Sequence, residues 1–323
     1  MRNHAAVGTR ARAPLGSSKN KSVSAPPVAK LKVKKRDIDW AVYNNELVNR
    51  GRVFSVVLDL ATLPGWILST GRPGRPPYSV EAISACHQYK ALMRLTLRST
   101  EGALRDLFRL AGLDESLVPD FSTLCSRRGD VKLNPPKIKP GGVLLIDGSG
   151  ISYRAKGPWA QQKYGTQRRR YVRLTLTVDA DSGAITAAAV TPEEGEGTGE
   201  VSQVPALLEP QAPAALVGDG AYDTREVYEY CHQHGIRLVT PPRCTAVLGL
   251  HPDRDQVIRQ VQRLGSKTWK EKSGYHCRSW VESAIGALKQ TLGDVTSAHT
   301  FSGAQADVIS RINVYNRWLA TAA

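Results

Sequence analysis

Two hydrophobic rhythms divide the chain. From residue 38 to about 130 the apolar positions recur every three or four residues, the spacing of a helix face. After residue 142 they come as short apolar runs bounded by Gly, Asp and Pro, which is the mark of strands. The first rhythm predicts a short helix over Asp39–Asn49, ending at Gly51. It predicts a second from a Ser79 cap to about Leu95, with Glu81 in its first turn. A third is expected to start at Ser99 or Thr100 and stop at Gly112, with Leu104, Leu107, Phe108 and Ala111 along one face. Asp120 should cap a fourth that carries Ser122, Thr123, Arg127 and Arg128. Gly71–Pro77 reads as a stiff connector, and residues 131–142 as a Pro- and Lys-rich linker.

The second rhythm predicts strands at Val143–Asp147, Tyr171–Asp179, Ala184–Val190, Ala215–Gly218 and Arg237–Thr240. Asp181-Ser-Gly183 should turn the chain, which makes Asp179 and Asp181 turn residues. Helices are expected over Glu200–Leu208, Thr224–His234 and Ala304–Leu319. Residues 241–274 read as a small insertion with a basic helix near Asp255–Arg263. The fold class that follows is α/β over 143–323, with an all-α region at 38–130.

Net charge changes the picture next. Lys and Arg number 44 against 29 acids, a formal +15. That excess suits a polyanionic partner, with DNA as the default. Residues 1–36 hold ten Lys or Arg and no acid, so a disordered basic tail is expected over 1–37. It either wraps phosphates or simply solvates the chain. There is no run of about 18 apolar residues, so no membrane span or membrane partner is expected. Five Cys without paired spacing fit reduced thiols in a cytoplasm.

Candidate chemistry lies at three acids. Asp147 and Asp219 each close an apolar run and precede Gly, so each is placed at the carboxyl end of a strand. In GYHCRSWVESAIGALKQ, Arg278, Glu282 and Lys289 fall on one helix face, while Val281, Ala284, Ile285 and Leu288 form an apolar stripe. A solvated face with one ion pair is the competing account. Three converging carboxylates repel one another and persist when cations neutralise them. Hard oxygen donors suit Mg²⁺, or Mn²⁺, and two such ions can clamp a phosphodiester.

At this point the residues resemble a known family. Tyr275, Arg278, Glu282 and Lys289 are spaced Y-x2-R-x3-E-x6-K, and LLIDGSG, GDGAYDTREVYE and PPR precede them in order. With YNNELVNRG, YSVEAISACHQYKALMRLTLRSTEGALRDLFRLAGL and VPDFSTLCSRR, the set covers roughly residues 40 to 292. The chain resembles a bacterial insertion-sequence DDE transposase with the Y-R-E-K signature, within insertion-sequence family 5. The resemblance implies an RNase H-like catalytic domain and a metal-binding triad of Asp147, Asp219 and Glu282, with Tyr275, Arg278 and Lys289 holding the DNA phosphates that flank the cut. It implies two Mg²⁺ ions, cleavage and joining at the terminal inverted repeats of the element, double-stranded DNA as partner, and a dimer or higher oligomer on DNA. A nucleoid-associated bacterial location goes with it. It also tips the 38–130 helices toward a helix-turn-helix DNA-binding domain, with Arg127 and Arg128 as contacts. The sequence departs from the family pattern at Gly148-Ser-Gly150, Cys277 and Trp280.

The loop Trp159–Arg173 packs Lys163, Arg168, Arg169, Arg170 and Arg173 with Trp159 and Tyr between strands. Cations interleaved with aromatics suit a strand-tracking groove, and Trp159 is the candidate to stack on a displaced base. Trp280 lies about 200° around the helix from Glu282 and should pack instead. Cys231, His232, His234, Cys244, His276 and Cys277 match no zinc-ligand spacing, and Gly148-Ser-Gly150 is not a nucleophile elbow. Two alternatives remain: an RNase H-like nuclease that only hydrolyses, and an inactive DNA-binding repressor.

Overall fold

The computed structural model describes residues 31, 39–52, 58, 60–68, 77–137, 139, 141–153, 163 and 170–320. The expected connector at 71–76, Trp159, Arg168 and Arg169 lie outside these residues, as does the basic tail apart from Leu31. Leu31 departs from the tail as read: it is buried, and its N–H donates to the Ser273 carbonyl at 3.1 Å.

Six strands form one mixed sheet: β1 (Val143–Tyr153), β2 (Arg170–Asp179), β3 (Ile185–Pro192), β4 (Ala215–Val217), β5 (Arg237–Val239) and β6 (Val295–Thr296). Their order is β3-β2-β1-β4-β5, with β6 also paired to β1. β1, β2 and β3 are antiparallel, while β4, β5 and β6 run parallel to their partners. This is the mixed RNase H-like arrangement expected from the element order.

Alternate strand residues point to opposite faces. On the front face, Leu145, Leu176, Val217 and Val239 join one core with the helices of the amino-terminal region and of the carboxyl end. On the reverse face, Leu144, Ile146, Leu216 and Leu238 pack with Val204, Leu207 and Tyr228. The helices are α1 (Trp40–Asn49), α2 (Val80–Met93), α3 (Leu97–Leu110), α4 (Phe121–Ser126), α5 (Val204–Leu208) and α6 (Arg225–Gln233), then α7 (Pro252–Leu264), α8 (Ser266–Ser273), α9 (Ser279–Leu292) and α10 (Phe301–Ala320).

Several caps stand where sequence chemistry puts them. Ser79 accepts from the Ala82 N–H, Asp120 from Thr123 and Thr224 from Val227. The cap of α3 is Thr96, not Ser99 or Thr100. Arg94 adopts a left-handed conformation at φ 54°, the chain leaves α2 there, and Thr96 is the first extended residue able to accept from Ser99 at 3.2 Å. Asp179 accepts from Ser182 at 2.9 Å, confirming its turn role.

Two expectations need correction. The first concerns the helical region, which has no core of its own. Ala82, Ile83, Cys86, Leu104 and Phe108 share a cluster with Ile309, Ile312, Val314 and the front of the sheet. Buried Asp307 on α10 accepts from Lys90 of α2 and from Arg311, each at 2.7 Å. Arg94 caps the far end of α9 through the Thr291 carbonyl at 2.8 Å. An independent 38–130 domain would expose this surface.

The second concerns β1, which does not stop at Asp147. It runs on through Gly148-Ser-Gly150 to Tyr153, paired along its length from Leu144↔Asp179 to Tyr153↔Arg170. Backbone pairing with β2 overrides the turn propensity of the Gly-Ser-Gly run.

Candidate active site at the sheet edge

The parallel register sets the first two acids level. Leu145 pairs with Val217, so two residues further on Asp147 stands beside Asp219. Both continue the front-face positions of Leu145 and Val217. Asp219 ends its strand as expected, and its carboxylate caps the following turn by accepting from Ala221 at 2.8 Å.

The third acid arrives on α9, which lies over the same face. Val281, Ala284, Ile285, Leu288 and Leu292 are buried beneath that helix. Each of the Val, Ile and Leu side chains contributes about 1.5–3 kcal/mol on burial, against a few tenths for an exposed i,i+4 pair. The apolar stripe therefore fixes the helix, and its rotation presents Glu282 to Asp147 and Asp219. Trp280 packs half-buried against the front core, as its angle predicts.

Arg278 joins the three acids. It closes the 3-10 turn Tyr275–Arg278 and leads into α9. Its Nη2 lies 3.2 Å from Asp147 and 3.8 Å from Asp219, and its Nη1 bonds Glu282. Burial works against the charged guanidinium, but Asp147 and Glu282 outweigh it and hold its pKa above the ordinary value. Burial likewise pushes the Asp147 carboxyl up; Arg278 and the Gly148 N–H oppose this, and Asp219 and Glu282 add to it.

Three acids on one Arg leave an excess of negative charge at this point. The donors are all carboxylate oxygens, the set that suits a hard divalent cation with open coordination positions. Asp147, Asp219 and Glu282 have the donor chemistry for such an ion, with the Arg278 guanidinium standing between them.

Tyr275 is half-buried on the preceding turn, with Lys270 Nζ 5.5 Å from its ring centre. Lys289 lies about two turns along α9 from Glu282 and makes no ion pair among the described residues.

Other expected contacts fare differently. Arg127 is tied inward, to Asp130 at 2.6 Å and to the Tyr78 carbonyl. That spends its guanidinium on the fold. Arg128 lies beside Cys125 Sγ at 3.7 Å, next to a cavity shared with His87, Lys90 and Phe121. The helix before them, α4, is only six residues long, short for a recognition helix. Arg173 is half-buried, and donates to the Thr198 carbonyl at 2.9 Å and the Glu193 carbonyl at 3.4 Å. It anchors a loop instead of facing solvent. Lys163 is exposed, and Arg170 opens β2.

His232, grouped in the sequence with the wrong neighbours, meets Asp253 at 2.9 Å, with His251 beside them. His251 accepts from the Asp253 N–H and caps α7.

One residue at the site was not foreseen. Glu200 lies at the start of a 3-10 turn after β3, its carboxylate over Gly148. Burial, and then Asp147, push its pKa up, with Arg173 opposing. The available signal was a glycine within a strand, which marks a close approach without naming the visitor.

The family described as "Transposase DDE domain" matches residues 138–317, more than half of the chain. The chain belongs to the transposase DDE domain family. A second family of the same description matches residues 48–156. Among solved structures, the simian T-cell lymphotropic virus intasome in complex with PP2A regulatory subunit B56 gamma aligns at 14% identity and TM-score 0.23. That alignment covers 50% of this chain and 57% of the other, so the chain spans less than two thirds of that relative. The HTLV-2 integrase catalytic core domain in complex with magnesium aligns at 18% identity and TM-score 0.22, over 47% of this chain and 88% of the other.

Proposed function

We propose that this DDE protein binds the terminal inverted repeats of its own insertion sequence, cuts DNA there and joins the freed ends to target DNA. The observation that carries this reading is the meeting of Asp147, Asp219 and Glu282 around Arg278 at the carboxyl end of β4, in the middle of the sheet. Membership of insertion-sequence family 5 rests on the ordered motifs and the Y-R-E-K spacing.

In cleavage, a water oxygen bonds to phosphorus and the P–O3′ bond breaks, leaving a 3′-hydroxyl and a 5′-phosphate. In joining, that 3′-hydroxyl attacks a target phosphodiester and displaces its 3′-oxygen. Asp147, Asp219 and Glu282 would hold the divalent ions, two Mg²⁺ by the resemblance. Such ions orient the attacking oxygen and stabilise the leaving one. Tyr275 and Lys289 flank the acids and supply contacts to phosphates on either side of the cut. Arg278 balances part of the acidic charge. The net +15 steers the chain to DNA, and holding two ends together calls for at least a dimer on DNA.

Purified protein with a labelled element end and a second duplex tests this. Mg²⁺-dependent 3′-hydroxyl ends that become joined to the second duplex are expected, and Glu282→Gln should abolish both steps while retaining DNA binding. Cutting without joining would reassign the protein to a hydrolytic nuclease. Undiminished cutting by Glu282→Gln would remove Glu282 from the centre.

A further inference from the structure

Two glycines open a notch on the reverse face of the sheet, directly behind the acids. A Cβ on Gly148 would lie 2.1 Å from both Cδ and Oε1 of Glu200. A Cβ on Gly218 would lie 2.7 Å from the Tyr222 ring and 3.1 Å from Ile146. Real Cβ atoms do not come that close, so both positions require glycine as the structure stands. The Glu200 carboxylate occupies the volume a side chain at 148 would fill. It thereby crosses the strand and reaches the electrostatic range of Asp147 and Asp219.

The loop that carries Glu200 is built to hold it there. The Thr198 carbonyl accepts from Arg173 at 2.9 Å and from Thr191 Oγ1 at 3.0 Å. The Gly199 carbonyl accepts from Ser202 Oγ at 2.6 Å. Yet the Glu200 carboxylate itself makes no ion pair or hydrogen bond among the described residues. An anion held by its backbone beside other anions, with Arg173 alone in opposition, favours a further cation.

Tyr222 points independently to a ligand. It is fully buried, and its hydroxyl has no hydrogen-bond partner among the described residues. Its ring packs against Gly218, one residue before Asp219, and it lies within electrostatic range of Glu200, Asp147 and Asp219. A buried hydroxyl left unpaired is costly unless something at the site takes its hydrogen bond.

We infer that Glu200 is a fourth carboxylate of the divalent-cation centre, reaching it from behind the sheet through the Gly148 notch, with the Tyr222 hydroxyl as donor in the same cluster. The inference rests on the metal-centre reading above and adds a ligand outside its triad.

The test uses the full chain, free of DNA, titrated with Mn²⁺ by calorimetry and melted with and without Mn²⁺. Glu200→Gln should weaken Mn²⁺ binding by about tenfold or more, the scale seen when groups supporting a metal site are removed. It should also raise the metal-free melting temperature, because one of four repelling charges is gone. Glu200→Asp, which keeps the charge but withdraws it by one methylene, should fall between the two. Tyr222→Phe, which removes only the hydroxyl, should weaken Mn²⁺ binding severalfold, whereas a pure packing role predicts no change. Asp147→Asn is the control and should abolish binding. Wild-type Mn²⁺ affinity in Glu200→Gln, or in Glu200→Asp if the first variant does not fold, overturns the inference while Asp147→Asn still fails to bind. Wild-type affinity in Asp147→Asn as well would sink the metal-centre reading itself.

Discussion

Arg254 and Arg278 each face carboxylates near the end of β4, with opposite charge balance. Arg254 on α7 meets one acid, Asp223, through Nε at 2.7 Å and Nη2 at 2.9 Å. Both side chains are buried, and the remaining groups are satisfied: Asp223 also accepts from the Arg243 N–H at 2.9 Å, and Arg254 donates to the Val247 carbonyl at 2.9 Å. Arg278 meets three acids, and Glu282 is 54% exposed. The first assembly is closed, neutral and dry. The second is open and carries surplus negative charge. A closed pair holds the 241–274 insertion to the sheet, while an unbalanced one invites a cation. Asp219 and Asp223 are four residues apart in GDGAYD, so motif position alone does not separate the two roles.

The largest effect should come from breaking the closed pair. Asp223→Ala leaves Arg254 buried and uncompensated, which typically costs about 3–5 kcal/mol. Urea unfolding should show a loss of that size, with Mn²⁺ affinity retained in whatever fraction stays folded. A loss under about 1 kcal/mol would mean that Arg254 finds water or another partner, and the contrast with Arg278 would collapse.

How much of this was legible in the chain depended on whether the signal was local. The apolar stripe of α9 and the acid at the end of β4 are properties of a few neighbouring residues, and they stand where the sequence placed them. The extent of β1 was not local. Gly148-Ser-Gly150 reads as a turn until β2 pairs with it, and only the paired strand shows why a glycine is needed at 148. Glu200 was hidden for the same reason. It reads as the start of a helix just after an acidic, Gly-rich connection, and its neighbour across space is 52 residues away in sequence. Arg127 and Arg173 were misjudged because a cation in a basic chain reads as a ligand for DNA. Nothing in the sequence announces the Tyr78, Thr198 and Glu193 carbonyls that receive them.

Acidity offers a second way to sharpen the comparison. Asp147 is held above the ordinary carboxylate range, by burial first, and Glu200 by burial and then Asp147. A carboxyl raised in the fold is one whose charge the fold disfavours. Above its folded pKa that penalty is fully present. As the pH falls through the folded pKa toward the ordinary value, the penalty is relieved. Metal-free Asp147→Asn should therefore be more stable than the wild type near neutral pH, with the gap closing as the pH falls through the raised folded pKa toward the ordinary carboxylate value. Saturating Mn²⁺ should reverse the order, because only the wild type retains the ligand. A gap of constant size, or a variant less stable at every pH without metal, would show that Arg278 fully neutralises the three acids.

The smallest expected effect concerns Lys289, the cation of the Y-R-E-K face that touches no acid. Unlike Arg254 and Arg278 it has no ion pair among the described residues, so removing it leaves no carboxylate exposed. Lys289→Ala should change unfolding free energy by no more than about 0.5 kcal/mol, the usual range for a surface position. If Lys289 meets a phosphate beside the cut, the variant binds element ends and scrambled duplexes more weakly by similar factors. The slope of log affinity against log salt then falls by about one. Binding measured from low to physiological salt on both duplexes checks this. An unchanged slope would place Lys289 on a solvated helix face and leave Tyr275 and the acids to define the path of the DNA.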